Sequence, residues 1–160
     1  SQTAEIPAMD SLMEWLPENV PEDDTTTLVH GDYRLGNTIV HPTHPRIRAG
    51  LDWELSTLGH PLADRPYCYV ACFMGTGEPL DLLPGLPNEE EFIQLYCART
   101  NRGGIPDWTF YKVFQLFRLA AIVQGVYKRG LDGISSSAKA VTYGDKCRDR
   151  AVAAWAMVGG

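Results

Sequence analysis

No lysine precedes Lys112 in this 160-residue chain, and no Gly-x-Gly-x-x-Gly run occurs anywhere in it. Both tools by which a chain commonly cradles nucleotide phosphates, a glycine-rich loop and a strand lysine, are therefore missing from its first hundred residues. Cysteine is sparse: Cys68 and Cys72 stand one helical turn apart, with Cys97 and Cys147 in other predicted helices. No Cys-x-x-Cys or Cys-plus-His ligand spacing is present, which argues against zinc and for reduced, buried thiols in a cytoplasmic setting. There is no apolar run of about 18 residues and no charged-then-apolar leader, so neither a membrane span nor a secretory signal is predicted. Positive charge is also in deficit. A net charge of −6 disfavours nucleic acid and anionic membranes as partners, and is compatible with a cationic ligand or with simple solubility charge. Repeats and low-complexity tracts are absent. What remains is an ordinary globular composition, 44% hydrophobic and 21% charged, of a length that normally makes one domain.

The chemistry lies in His30-Gly31-Asp32-Tyr33-Arg34-Leu35-Gly36-Asn37 and in Leu51-Asp52-Trp53-Glu54. Between them, Thr38-Ile39-Val40-His41 is a β-branched run, Pro42-Thr43-His44-Pro45 is turn chemistry, and Arg46 to Leu51 is a second extended run. An antiparallel hairpin here predicts Thr38 opposite Leu51, with Asn37 and Asp52 flanking its open end. Opposed residues lie about 4.5 to 5.5 Å apart at Cα, so one cation can be held by both side chains. Mg²⁺ takes hard oxygen ligands and keeps several waters. One carboxylate and one amide oxygen suit it when phosphates complete the shell. Asp32, on the loop before Asn37, is placed to accept the proton of a substrate hydroxyl, and Arg34 to set a positive charge beside a transferring phosphoryl group. Glu54 reads equally as a further metal ligand or as a solvated residue, and His30 as a structural histidine bonded to the loop. Turn propensity alone would account for Asp32, Asn37 and Asp52 singly, but it does not require their joint spacing.

Asp-x-Arg-x-x-Asn resembles the protein-kinase catalytic loop, with Asp52-Trp53-Glu54 standing where that family has Asp-Phe-Gly. The fuller string, His-Gly-Asp-x-x-x-x-Asn with Asp-Trp-Glu and then Leu58-Gly59-His60-Pro61-Leu62-Ala63-Asp64, resembles the aminoglycoside phosphotransferase family of small-molecule kinases. From Val29 through Asp64 it is most similar to the subgroup found fused to acyl-CoA dehydrogenases. The resemblance implies Asp32 as catalytic base, Asn37 and Asp52 as Mg²⁺ ligands against ATP, and Asp64 as a brace for the catalytic loop. It also implies an α+β, mainly α fold: a protein-kinase-like large, C-terminal lobe over residues 1–160, with a small β-hairpin at the catalytic loop. The missing glycine loop and lysine then mean that the small nucleotide lobe is absent from this chain, and that the isolated lobe is inactive. The expected activity is transfer of the ATP γ-phosphoryl group to a small-molecule hydroxyl, the dehydrogenase-fused subgroup favouring a metabolic acceptor. The alternatives are a catalytically silent kinase-like module that binds a nucleotide or partner, a metal-dependent hydrolase built on the His and Asp residues, against which His41 and His44 lie around a turn rather than on a common helical face, and a purely structural domain. Tyr33, Trp53, Trp108 and Tyr111 are candidates for an acceptor pocket, each equally suited to packing.

Elsewhere the pattern predicts a helix from Ile6 to Leu16, with Met9, Leu12, Met13 and Leu16 on one face, stopped by Pro17 and Pro21. A polar connector, Glu22 to Thr26, leads to an extended Thr27-Leu28-Val29. Ser56 to Pro61 reads as loop, and Asp64 as N-cap of a helix to about Met74. Gly75 to Pro87 is loop, Asn88 with Glu91 opens a helix to about Asn101 that Gly103-Gly104 end, and Asp107 caps a long buried helix to about Lys128. A flexible link, Asp132 to Ser137, precedes a last helix from about Ala138 to Met157.

Overall fold

A computed structural model describes residues 3–73, 85–135 and 138–159. Its elements are α1 (Pro7–Glu18), β1 (Thr27–Val29), β2 (Thr38–Val40), β3 (Ile47–Gly50), β4 (Thr57–Gly59), α2 (Arg65–Phe73), α3 (Glu89–Thr100), α4 (Trp108–Leu131) and α5 (Gly144–Trp155). The composition is mainly helical, as expected, with two small sheets where one hairpin was expected. Most of the loop expected over Gly75 to Pro87, and Ser136 and Ser137 of the expected link, lie outside the described residues. The contacts fall into two compact units, Ser1–Glu22 with Thr109–Gly160, and Asp23–Trp108.

In the first unit α1 packs on α5. Met9, Leu12 and Leu16, at helical spacing, are buried, whereas Met13 is exposed. The helix runs through Pro17 rather than stopping at it. A proline in the last turn forfeits only one ladder bond, and Asn19, whose amide donates to the Trp15 carbonyl, closes the end. The amino-terminal half of α4 is core, with Val113, Gln115, Leu116 and Ala120 all buried. The final helix is shorter than predicted. Ala138–Thr142 forms a 3-10 turn and α5 starts at Gly144. The reason is close packing on α4: a Cβ at Gly130 would meet Ala140 at 2.8 Å, and one at Gly144 would touch the Tyr127 ring at 3.0 Å.

The second unit holds both sheets. Hairpin β2–β3 forms as predicted, but its register is Thr38 with Gly50, not Leu51. A bulge between Ile39 and Val40 and their partners gives the second strand an extra residue, so Asn37 faces Leu51, whose N–H donates to the Asn37 carbonyl at 2.8 Å. A second sheet was not foreseen. Thr57–Gly59, expected to be loop, pairs antiparallel with β1, setting Leu28 opposite Leu58. The connector before β1 is tied down. Asp23 accepts from Thr25 and pairs with His60 at 3.0 Å and Arg102 at 3.4 Å, contacts that hold its carboxyl well below the usual range. Helix α3 carries the predicted capping box, with Asn88 and Glu91 each bonding the other's backbone N–H. It ends at Asn101 in the left-handed region, φ 54°, ahead of the glycine pair expected to stop it. Tyr69, Phe92 and Trp108 form one aromatic cluster, with centroids 5.6 to 6.1 Å apart, and the Trp108 indole donates to Glu89.

Candidate active site

The His30–Asn37 loop is suspended from Asp64, just ahead of α2. Both oxygens of Asp64 accept backbone N–H groups of the loop, Oδ2 from His30 and Oδ1 from Gly31 at 2.8 Å. A carboxylate receiving two N–H bonds makes charge-assisted contacts, each stronger than a neutral one. The N-cap bond expected of the Asp64 side chain is thus replaced by bonds to the loop. Gly31 sits at φ +84°, and a Cβ there would stand 2.4 Å from the Leu55 carbonyl oxygen, so the tight pass of loop against the Trp53–Leu55 turn demands glycine. His30 is buried and bonded at both ring nitrogens. Nδ1 accepts from the Asp32 N–H at 3.3 Å, which leaves Nε2 to donate to the Leu51 carbonyl at 2.7 Å. This neutral tautomer ties the loop to the end of β3. The ring also packs on Trp53, centroids 4.5 Å apart.

The Asp32 carboxylate gathers donors. Asn37 Nδ2 donates to Oδ2 at 2.7 Å and to the Asp32 carbonyl at 2.9 Å, and Arg34 Nε to Oδ2 at 3.3 Å. Burial pushes the Asp32 carboxyl up, but hydrogen bonds from Tyr67, Asn37 and Arg34, together with the Arg34 charge, outweigh it and hold it below the usual carboxylate range. Tyr67 is a participant that sequence reasoning missed. It lies buried on α2, one turn after Asp64, so one helix supports both the loop backbone and the side chain of Asp32.

Asn37 is 2% exposed with its Nδ2 committed to Asp32, which orients the amide and reserves Oδ1 as an acceptor. Asp52 follows immediately after the Asn37–Leu51 pairing. It is exposed and sits in the left-handed region, φ 60° and ψ 56°, and no described residue hydrogen-bonds its side chain. Among residues with a Cβ, aspartate and asparagine reach this region most readily, and residues held there cluster at functional sites. The free amide oxygen of Asn37 and the unpaired carboxylate of Asp52 at the mouth of a hairpin fit a hard divalent ion whose remaining ligands are phosphate and water. Among the described residues no trio of His, Cys, Asp and Glu side chains converges on a metal position, so the donor set is not that of a closed protein cage. Glu54 is exposed on the turn after Asp52. His41 and His44 stack with centroids 4.6 Å apart around the hairpin turn. Tyr33 and Trp53 stand at the site, whereas Trp108 and Tyr111 are buried packing residues.

Comparison with known proteins identifies the family. The sequence profile described as the phosphotransferase enzyme family matches residues 1–104. The chain belongs to this family. It is 47% identical to a crystal structure from Ralstonia eutropha provisionally named an aminoglycoside phosphotransferase, with a TM-score of 0.86 over 98% of this chain and 50% of that one. Acyl-CoA dehydrogenase family member 10 of Mus musculus is 44% identical over 97% of this chain and 15% of its own length. Family member 11 of Homo sapiens is 42% identical over 83% of this chain and 18% of its own length. The chain thus spans half of the solved relative and less than a fifth of these curated ones. The kinase-like fold, and similarity to the dehydrogenase-linked subgroup, are the ones expected from the His-Gly-Asp and Asp-Trp-Glu motifs. No helix among the described residues is long and apolar enough to cross a membrane.

Proposed function

We propose that this chain is the C-terminal catalytic lobe of an ATP- and Mg²⁺-dependent phosphotransferase acting on a hydroxyl of a small molecule. The observation that carries the proposal is the Asp32–Asn37 pair: a base held ionised and an amide oxygen left to ligate, both on a loop hung from Asp64. Asp32 takes the acceptor hydroxyl's proton, a contribution of roughly 10² to 10⁴ in rate. Arg34, half exposed beside it, screens charge at the phosphoryl group. Asn37 and Asp52 would hold Mg²⁺, with Glu54 as a further candidate, and the ion would supply charge neutralisation at the phosphates. Two features support a separate nucleotide lobe. The chain has neither glycine loop nor early lysine, and the hairpin carries exposed apolar side chains, Val40 with Ile47 on one face and Ile39 on the other, that a base or a second lobe would cover. Similarity to dehydrogenase family members favours a metabolic acceptor over an antibiotic. The free, buried thiols of Cys97 and Cys147 favour a reducing, cytoplasmic compartment.

The test is a screen of hydroxyl compounds with a longer protein that carries this chain and a nucleotide lobe, supplied with Mg²⁺ and ATP and read as ADP formation. Asp32→Asn is expected to lower kcat by about two to four decades with nucleotide affinity little changed. ADP formation that is the same in this variant as in the parent protein would refute the assignment.

A further inference from the structure

Beside the catalytic loop lies a cavity of about 230 Å³ whose wall includes Leu28, Val29, Pro61, Tyr33, Tyr96 and Arg65. The Arg65 guanidinium lies over two rings, with its carbon 5.3 Å from the Tyr33 centroid and 5.0 Å from that of Tyr96. These faces hold the cation in place but use none of its five N–H donors, which point outward in the guanidinium plane. No carboxylate or carbonyl among the described residues accepts from Arg65. Its sequence neighbour Asp64, which also borders the cavity, is already spent on the His30 and Gly31 N–H groups. An oriented guanidinium with an unanswered donor fork, bordering a cavity that also offers the apolar side chains of Leu28, Val29 and Pro61, suits a planar anion carrying a hydrocarbon body. We infer that this cavity is a binding site for a small organic carboxylate, whose head group Arg65 takes through paired N–H bonds while its alkyl part covers Leu28, Val29 and Pro61. Because Tyr33 follows Asp32 directly, an occupant would also be felt by the catalytic loop.

The test is a ¹H–¹⁵N NMR titration of this chain with hexanoate, hexanamide and inorganic phosphate at constant ionic strength. The Arg65 Nε–H and the Tyr33 and Tyr96 amides are followed. Hexanoate is expected to give saturable shifts at all three. Hexanamide, which keeps the hydrocarbon and lacks the charge, and phosphate, which keeps the charge and lacks the hydrocarbon, should each bind about ten-fold more weakly or worse. Arg65→Gln should weaken hexanoate by a similar factor, and Arg65→Lys by less. Equal affinity for hexanamide would show a merely apolar cavity, and equal affinity for phosphate a merely electrostatic one. Either result overturns the inference, as does the absence of any saturable hexanoate shift. The three ligands are compared on the unaltered chain, so the result stands even where Arg65→Gln does not fold.

Discussion

Gly31→Ala should be among the most damaging single-methyl additions in this chain. Two costs are readable from the structure. The backbone at φ +84° is disfavoured for an L side chain by about 1–2 kcal/mol. The new Cβ would stand 2.4 Å from the Leu55 carbonyl oxygen and 3.1 Å from both the Leu55 carbonyl carbon and its Cβ. The obstacle is backbone, so it is relieved only by moving the loop or the Trp53–Leu55 turn, at a further cost of about 1–3 kcal/mol. Together these give roughly 2–5 kcal/mol out of a total stability of about 5–15 kcal/mol. Movement of the loop would lengthen the Gly31 bond to Asp64 and carry Asp32 off position. Catalysis in the longer enzyme should then fall by about a hundred-fold for a displacement near 1 Å. The assay is urea unfolding followed by tryptophan fluorescence, with Gly104→Ala as control, since a Cβ there meets nothing within 4 Å. The control should stay within about 0.5 kcal/mol of the parent. A Gly31→Ala midpoint indistinguishable from the control would refute the argument that the close pass at Leu55 requires glycine.

Asp64→Asn should cost about 2–4 kcal/mol, because an amide replaces one of the two oxygens that accept loop N–H groups and turns an –NH₂ toward a donor; urea unfolding with no change in midpoint would contradict it. Tyr67→Phe removes a hydrogen bond that favours the ionised form of Asp32, so the folded carboxyl titrates at higher pH. The stability that this ionisation contributes is present above the unfolded carboxyl's range and is lost as pH falls through the folded value; the variant should lose it at higher pH, and the acid limb of the kcat profile should shift the same way, with an unmoved limb counting against Tyr67 as a positioning residue. Asp52→Asn keeps a residue that tolerates the left-handed backbone while deleting the charge. It should therefore leave unfolding nearly unchanged and abolish Mg²⁺-dependent nucleotide binding in the longer enzyme, whereas retained metal-nucleotide affinity would show that Asp52 is no ligand.

The hairpin was legible because its signals are local: β-branched residues on one side, two prolines in the turn, an extended run on the other. Its exact register was not, since strand pairing depends on turn length and backbone hydrogen bonding, here with a bulge that adds one residue to the second strand, rather than on residue type. Strand β4 escaped for a related reason. Three residues carry no periodicity, and Thr57–Gly59 is a strand only because β1, some thirty positions earlier, supplies its partner. The last helix was overextended because nothing in the Ala138–Thr142 run itself reveals the contact of Ala140 with Gly130 that breaks it.

At the site the same division separates atoms that face a ligand from atoms that support them. On the proposed function, Asp32, Asn37 and Asp52 have to be recognisable types at a fixed spacing, because a phosphate, a metal ion and a hydroxyl would impose their own chemistry on whatever meets them. Asp64 also announced itself, by its position as a helix cap and by the family resemblance as a brace for the loop. In the folded chain both its oxygens turn to the catalytic loop, since buried N–H groups at His30 and Gly31 need acceptors. Tyr67 and Arg65 announced nothing, being a tyrosine and an arginine in the first turn of a helix. Their meaning depends on what stands opposite: Asp32 for the one, and the faces of Tyr33 and Tyr96 for the other. Asp64, just ahead of α2, and Arg65 and Tyr67 in its first turn thus reach the loop backbone, the cavity beside it and the Asp32 carboxylate. A rotation of this helix would disturb all three together, whereas each single substitution should disturb only one. Asp64→Asn and Tyr67→Phe, made separately and together, test that independence: a coupling energy beyond about 0.5 kcal/mol would mean that the helix and loop respond as one body.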